Sequence, residues 1–361
     1  MPYCLRSPNQ YIQGSGLLRE LYPHLSPFGS RALFLISPSG QKRHQADLVS
    51  SLDAAGFSYR FEPFSSECCA EEIRRLGTLV RSGGWNLIVG VGGGKILDTV
   101  KAVGHSTGLP VAILPTVAST DAPCSALSVL YHRDGTFDRY LFLPRSPELV
   151  LVDTDVIAHA PAHLLAAGMG DALSTYFEAR AVRRSGADNQ VSAKPTEAAF
   201  ALASRCYELL LEYGPDAMQA VQSHTVTPAL EHIIEANIYL SGVGFESGGL
   251  AAAHALQKGL TLLPELHEKT HGEKVAFSTL VQLCLEQAPA YELQTVLDFC
   301  HAVGLPTCFR DLGAEAVPAE RWENAAAFTC RPGMTIHHLP FPVTEETLLA
   351  AIYRANEIGQ H

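Results

Sequence analysis

Short apolar segments recur along the first 150 residues, and most of them end at Gly, Pro or Asp. They cover residues 31–36, 57–64, 86–91, 111–114 and 149–152. Helical stretches separate them, and strands of a parallel sheet read as continuous apolar runs because helices bury both faces of the sheet. The pattern therefore predicts an α/β domain built on a parallel sheet. Residues 126–132 and 138–143 flank a polar turn and predict a hairpin appended to that sheet.

Helical periodicity replaces this alternation after Pro161. The helical segments are 162–181, 195–213, 228–245, 248–262, 272–287 and 344–357. We therefore expect two domains, an α/β domain over residues 1–160 and an all-helical domain over residues 161–361. A cleft between two such domains is the expected position of an active site.

Charge and composition exclude several classes of partner. The formal net charge of −11 disfavours nucleic acid and anionic membranes. No apolar run reaches the roughly 18 residues of a membrane span, and the N-terminus lacks the pattern of a signal peptide. We therefore expect a cytoplasmic protein with neither nucleic acid nor membrane as partner. The nine cysteines include no C-x-x-C pair, so we expect reduced thiols that pack as small apolar residues.

A glycine-rich turn, Gly90-Val91-Gly92-Gly93-Gly94-Lys95, leaves a predicted strand and enters a predicted helix. Glycines let the backbone approach a phosphate closely, and the helix start offers free N–H groups and a positive dipole end. Lys95 adds a cation. The spacing matches neither the dinucleotide G-x-G-x-x-G motif nor the P-loop. The turn therefore indicates a phosphate site, and a purely structural turn is the alternative.

Two histidines and an aspartate form a candidate metal site. Asp171 precedes an amphipathic stretch, His254 lies among small residues, and His271 begins another predicted helix. Two histidines and one carboxylate are the ligands of an open catalytic zinc, with positions left for water or substrate. Individually, Asp171 also fits a helix N-terminal acid and His254 a buried core histidine. His267, four residues before His271, is the obvious competing residue.

Several ordered motifs, spread over nearly the whole chain, are similar to those of one known family. They are Gly92-Gly93-Gly94-Lys95-x-x-Asp98, residues 115–125, Gly170-Asp171-Ala172, residues 246–254 and residues 271–276. The chain resembles the iron-containing alcohol dehydrogenases, and among them the glycerol dehydrogenase branch. The resemblance implies an N-terminal Rossmann-like α/β domain that binds a dinucleotide, a helical C-terminal domain that binds a metal, and a homo-octamer.

The resemblance also implies roles for individual residues. Asp171, His254 and His271 would bind the metal, and Asp121 would be the catalytic residue that hydrogen-bonds a substrate hydroxyl. Other branches add a fourth ligand, a histidine at the position of Thr175, so the three-ligand set fits Zn²⁺, with another divalent metal as the alternative. The cofactor would contact Gly92, Gly93, Gly94, Lys95, Asp98, Thr116, Ser119, Ser125, Leu127 and Tyr131.

Ser37 departs from the pattern of the family. The glycerol dehydrogenase branch carries an aspartate at the end of this first predicted strand, where it contacts the adenosine ribose. A serine there removes a charge that repels a 2′-phosphate, and Lys42 and Arg43 follow closely. If the stretch after Gly40 is a loop that folds back, these cations would reach such a phosphate. We therefore expect NAD as the cofactor, with NADP also accepted.

The function expected from these residues is metal-dependent hydride transfer between a small polyol, such as glycerol, and a nicotinamide cofactor. A reductase of 2-oxo acids or hydroxyketones on the same scaffold is the first alternative. That reaction would need a cation near the substrate carboxylate, and Asp121 has the opposite sign. A catalytically silent nucleotide-binding protein is the second alternative, and the complete set of ligand types argues against it.

Overall fold

The computed structural model describes residues 2–361, and its N-terminal half is built on a six-stranded parallel sheet. The strands are β1 (Gln10–Gly14), β2 (Arg31–Ile36), β3 (Ser58–Pro63), β4 (Leu87–Gly92), β5 (Val111–Pro115) and, after the hairpin strands described below, β8 (Leu149–Asp153). Their order across the sheet is β1-β8-β5-β4-β2-β3, and every pair is parallel. The predicted parallel α/β sheet is therefore confirmed.

Helices cover both faces of this sheet, as its apolar strands require. They are α1 (Leu21–Leu25), α2 (Pro38–Ala54), α3 (Ala70–Gly83), α4 (Gly94–Thr107) and α5 (Thr154–Ala158). Within β2, Leu33 and Leu35 face the core under α3 and α4, whereas Ala32, Phe34 and Ile36 face the core under α1 and α2. Side chains that alternate between the two faces of one strand thus contribute to two hydrophobic cores, one on each side of the sheet.

Two features of this half differ from the sequence prediction. The hairpin strands, β6 (Leu127–Tyr131) and β7 (Phe137–Phe142), form their own antiparallel sheet instead of extending the main one. The physical reason is an attachment to α4, where Asp98 accepts a hydrogen bond from the Val129 N–H at 2.9 Å. The edge strand β1 was not predicted because its sequence, Gln-Tyr-Ile-Gln-Gly, is largely polar.

The C-terminal half is helical, as predicted. Its helices are α6 (Ala162–Ser185), α7 (Glu197–Gln222), α8 (Pro228–Glu235), α9 (Ser241–Gly248), α10 (Ala252–Leu260), α11 (His271–Leu285), α12 (Ala290–Val303), α13 (Phe309–Leu312), α14 (Ala319–Thr329) and α15 (Glu345–Ile358). The part of the chain that contains strands ends with α5, and from α6 onward the regular structure is helical. No helix within residues 2–361 is both long and apolar enough to cross a membrane.

The stretch predicted as one helix over 228–245 is interrupted. A π-helical turn, Ala236–Leu240, joins α8 to α9. Gly249 then ends α9 with a positive φ of 101°, a conformation that favours glycine. A side chain at Gly249 would also collide with Val182 of α6. Helices α12, α13 and α14 were absent from the prediction.

Candidate metal and cofactor site

The three predicted metal ligands come from three different helices. Asp171 lies in the third turn of α6, His254 in the first turn of α10, and His271 is the first residue of α11. Because α6 begins at Ala162, Asp171 is inside the helix and the alternative of an N-terminal acid is wrong. His267 is exposed and lies outside the cluster.

The side chains of these residues converge on one point. Asp171 Oδ1 lies 3.3 Å from His254 Nε2 and 3.0 Å from His271 Nε2. One ligand atom from each residue lies within 4.8 Å of the other two. Asp171 Oδ1 is buried and accepts no hydrogen bond from the described residues. An unsatisfied carboxylate oxygen facing two imidazole nitrogens fits a divalent cation, because such oxygen and nitrogen atoms are its usual ligands.

Glycines beside the ligands bring the helices into this arrangement. A Cβ atom on Gly170 would collide with the carbonyl group of Gly272, and one on Gly272 with the carbonyl group of Ala167. Helices α6 and α11 therefore touch backbone to backbone, immediately beside Asp171 and His271. A larger residue at either glycine would separate the ligands.

Glu178 is a site residue that the sequence interpretation missed. Its Oε2 atom lies 2.6 Å from His254 Nδ1, and its Oε1 atom accepts hydrogen bonds from the N–H groups of Ala251 and His254. A proton on Nδ1 donated to this carboxylate leaves Nε2 free for a metal. The sequence could have indicated this role. Glu178 lies seven residues, or two helical turns, after Asp171, and it therefore lies on the same face of the predicted helix.

The charges within the cluster favour cation binding. Burial alone lowers the pKa of His254, but the carboxylates of Glu178 and Asp171 raise that pKa well above its ordinary value. Burial opposes ionisation of Asp171, while the rings of His271 and His254 hold the pKa of its carboxyl below the usual range. The buried carboxylates are thus stabilised by a nearby positive charge. Protons on the imidazole rings supply this charge, and a bound metal would replace them.

Asp121 lies directly beside this cluster. Its N–H group donates to Asp171 Oδ2 at 3.2 Å, and its own Oδ2 accepts a hydrogen bond from Ser241 at 2.8 Å. Burial and the nearby Asp171 carboxylate raise the pKa of Asp121 well above its ordinary value. The structure therefore brings the predicted catalytic residue together with the predicted metal ligands.

The glycine-rich turn leaves β4 and forms the start of α4. Gly92 has a positive φ of 156°, and a Cβ atom on Gly94 would meet no atom within 4 Å. Helix α4 has no side-chain cap at its N-terminus. Among the described residues, no side chain therefore caps the first N–H groups of the helix, and uncapped N–H groups at a helix start are suited to binding phosphate.

Lys95 is engaged by a residue that the sequence prediction did not consider. Its Nζ atom lies 2.6 Å from Glu67 Oε1 and 6.0 Å from the centre of the Tyr131 ring. Burial raises the pKa of Tyr131 to about 12, so its hydroxyl stays neutral. Lys95, the residue predicted to contact a phosphate, is therefore paired with Glu67 in this structure. A phosphate would have to compete with Glu67 for the ammonium group.

The remaining predicted cofactor residues fall into two groups. Thr116 and Ser119 lie half-buried after β5, where the Thr116 N–H donates to the carbonyl group of Gly92. Asp98, Ser125 and Leu127 surround the ammonium group of the buried Lys101. This group contacts Asp98 Oδ1 at 2.9 Å and the carbonyl oxygens of Ala122, Ser125 and Leu127. Asp98 is thus engaged within the protein, and its contact with a cofactor stays a prediction.

Ser37 lies at the carboxyl edge of the sheet, next to the glycine-rich turn, because Ile36 of β2 pairs with Val91 of β4. It caps α2, and its hydroxyl accepts a hydrogen bond from the Gly40 N–H at 3.1 Å. The expectation of a loop after Gly40 is wrong, since Lys42 and Arg43 belong to α2. The capping hydrogen bond and Pro38 at the first turn favour the helix.

The chain is similar in sequence and in fold to members of one known family. The family model of the iron-containing alcohol dehydrogenases matches residues 8–154. A glycerol dehydrogenase of Escherichia coli O6:H1 is 51% identical over 100% of this chain and 98% of its own length. One from Pseudomonas putida is 50% identical over 100% and 99%. The crystal structure of glycerol dehydrogenase from Schizosaccharomyces pombe superposes with a TM-score of 0.95 at 34% identity, covering 99% of this chain and 91% of that chain.

Proposed function

Because the chain belongs to the glycerol dehydrogenase branch of the iron-containing alcohol dehydrogenase family, we propose that it transfers hydride between a small polyol and NAD. Glycerol and dihydroxyacetone, or a related vicinal diol and its ketone, are the proposed substrates. The observation that carries the proposal is the convergence of Asp171, His254 and His271 beside Asp121.

Asp171, His254 and His271 would hold the metal, with Zn²⁺ as the proposed ion. A divalent ion at this position supplies Lewis acidity that lowers the pKa of a substrate hydroxyl. The three ligands leave coordination positions open, which a catalytic site requires. Glu178 keeps Nε2 of His254 available by accepting a hydrogen bond from the N–H at Nδ1.

The carboxyl edge of the sheet would hold the cofactor. The uncapped start of α4 at Gly93 and Gly94 would receive the pyrophosphate. The nicotinamide half would lie along the segment after β5 and on the hairpin, within reach of the metal cluster. NAD is the proposed cofactor, and Ser37 would leave room for NADP.

Asp121 would accept a hydrogen bond from a second hydroxyl of the substrate. Its Oδ2 is occupied by Ser241, while its Oδ1 accepts no hydrogen bond from the described residues. A carboxylate in this position favours a diol over a monohydric alcohol, since a substrate without the second hydroxyl leaves it unpaired. It also repels the carboxylate of a 2-oxo acid, which disfavours a reductase of such acids. The 45–51% identity to glycerol dehydrogenases ranks polyol oxidation above the alternative as a whole.

The proposal is tested with a substrate panel and a metal series. We expect oxidation of glycerol and 1,2-propanediol to exceed reduction of any 2-oxo acid. Chelation should abolish the activity, and Zn²⁺ should restore it better than Fe²⁺. His254→Ala should match the chelated protein, and His267→Ala should match the untreated one. Equal losses in both variants would contradict the ligand assignment, and a larger 2-oxo-acid activity would contradict the substrate.

We also propose a homo-octamer, as the resemblance to the family implies. Light scattering would measure it, and a mass near that of one 38.9 kDa chain would contradict it. Location in the cytoplasm stays a prediction.

A further inference from the structure

Two buried hydroxyl groups stand behind Asp121 and connect it to the metal-binding helix. Ser241 donates to Asp121 Oδ2 at 2.8 Å, and Thr175 Oγ1 lies 2.8 Å from Ser241 Oγ. Both residues are fully buried, with exposed fractions of 0%. When Asp121 is ionised, which a cation bound beside Asp171 would favour, the single proton of Ser241 goes to the carboxylate and Thr175 is the donor in the second hydrogen bond. The chain therefore runs from Thr175 through Ser241 to Asp121.

The backbone around Ser241 is shaped to make this contact. The π-helical turn Ala236–Leu240 directly precedes Ser241, and such turns shift the register of a helix. At the start of that turn the Asn237 amide donates to the carbonyl oxygen of Ala118 at 3.0 Å. A Cβ atom on Gly242 would lie 2.8 Å from the carbonyl oxygen of Asp121. Residues 237–242 thus pack closely against the segment that carries Asp121.

Helix α6 holds Asp121 at two points, one turn apart. Asp171 Oδ2 accepts a hydrogen bond from the main chain of Asp121, and Thr175 supports its side chain through Ser241. Asp171 is also a proposed metal ligand. The position of the Asp121 carboxylate is therefore fixed relative to the metal by a single rigid helix.

We propose that Ser241 is a positioning residue for polyol specificity, supported by Thr175, and this inference rests on the proposed function. Ser241 occupies Oδ2 of Asp121 and fixes the rotation of the carboxylate, so that Oδ1 remains for the second hydroxyl of the substrate. Ser241 and Thr175 contact neither substrate nor metal in this arrangement. They act through Asp121.

Ser241→Ala removes the hydroxyl with little change in volume. We expect the KM for glycerol to rise about tenfold, the loss of one well-placed hydrogen bond. Activity with 2-propanol, which lacks the second hydroxyl, should change less than twofold. The KM for NAD and the Zn²⁺ affinity, measured by chelator competition, should stay unchanged. Thr175→Val should raise the KM for glycerol about threefold, and Thr175→Ser should restore the wild-type value.

Two residues of α11 provide matched controls. Ser278 and Thr279 are equally buried, and their hydroxyls donate only to main-chain carbonyl groups. Ser278→Ala and Thr279→Val should leave the ratio of glycerol to 2-propanol activity unchanged. A similar change in the ratio of glycerol to 2-propanol activity in all four variants that lose a hydroxyl group would overturn the proposal. An unchanged KM for glycerol in Ser241→Ala would also overturn it.

A crystal structure of metal-loaded Ser241→Ala separates this inference from the proposed function. We expect the Asp121 carboxylate to rotate away from its wild-type orientation, whatever substrate the enzyme prefers. An unchanged carboxylate would overturn the positioning role even if glycerol is the substrate. Conversely, a wild-type protein inactive on every polyol would contradict the proposed function, while a rotated carboxylate would still support the positioning of Asp121 by Ser241.

Discussion

Glu178 Oε2 lies 2.6 Å from Nδ1 of His254, and both groups are buried. The carboxylate fixes the ring by accepting a hydrogen bond from Nδ1–H, and its other oxygen accepts one from the main-chain N–H of the same histidine. The identity of the free nitrogen in His254 is therefore set by a residue of a different helix. Carboxylate partners of this kind orient metal-binding histidines in proteins generally.

Replacing Glu178 should weaken metal binding without removing a ligand. Glu178→Gln keeps the size of the side chain but loses the charge that holds the Nδ1 proton. We expect the Zn²⁺ affinity to fall about 10-fold to 100-fold, measured by competition with a chelator. Glu208→Gln, which changes an exposed acid of α7, should have no effect. Equal affinities in Glu178→Gln and wild type would show that Glu178 does not orient the ring.

The ion pair between Lys95 and Glu67 should compete with cofactor binding. Glu67→Gln releases the lysine, and we expect the KM for NAD to fall about twofold to fivefold, because ion pairs near the protein surface are weak. Lys95→Met removes a cation from the phosphate site and should raise this KM about tenfold or more. Glu71→Gln, at a neighbouring acid that does not contact Lys95, is the control. If Glu67→Gln and Glu71→Gln have the same KM, the ion pair plays no part.

Ser37→Asp should shift the preference toward NAD. Aspartate also caps helices well, so α2 should remain intact. The added carboxylate would accept hydrogen bonds from the ribose and repel a 2′-phosphate, improving the NAD to NADP ratio of kcat/KM by about tenfold or more. Ser50→Asp places the same charge near the other end of α2 and should leave the ratio unchanged. An unchanged ratio in Ser37→Asp would mean that residue 37 does not face the ribose.

Glu246 should destabilise the protein as the pH rises. Its Oε1 accepts a hydrogen bond from the Ala126 N–H at 2.8 Å, but its Oε2 is buried and has no hydrogen-bond partner among residues 2–361. Burial raises its pKa above the ordinary value of 4.5, so the folded state disfavours the charged form. The neutral acid therefore contributes stability at a pH below 4.5. That stability is lost as the pH rises from 4.5 through the raised pKa of the folded state.

Glu246→Gln should therefore raise the Tm at pH 8 by about 2 °C, and the gain should shrink at pH 5. Scanning calorimetry at the two pH values measures the difference. Glu357→Gln, at an exposed acid of α15, should show no such pH dependence. A gain that is equal at both pH values would mean that the ionisation of Glu246 is not its cause.

Much of the fold followed from local patterns in the sequence. Residues 86–91 are apolar without interruption, and a segment that buries both faces has few alternatives to a central parallel strand. Polar β1 carries no such pattern, and only its pairing with β8 makes it a strand. The attachment of the hairpin to α4 depends on Asp98, whose hydrogen bond to Val129 joins residues far apart in the chain.

The sequence by itself determined the chemistry available to this protein. It supplied an uncapped glycine-rich helix start at Gly93 and Gly94, and two histidines and a carboxylate of the types that bind a metal. Such preferences are properties of the residues and of their immediate neighbours along the chain.

Only the tertiary structure decided which of these groups meet. The backbone contact between α6 and α11 brings Asp171 to His271, and the packing of α10 against both adds His254. The same packing selects Glu178 as the partner of His254 and Ser241 as the partner of Asp121. Distances between side chains on different helices depend on how the core packs, and no local pattern encodes them.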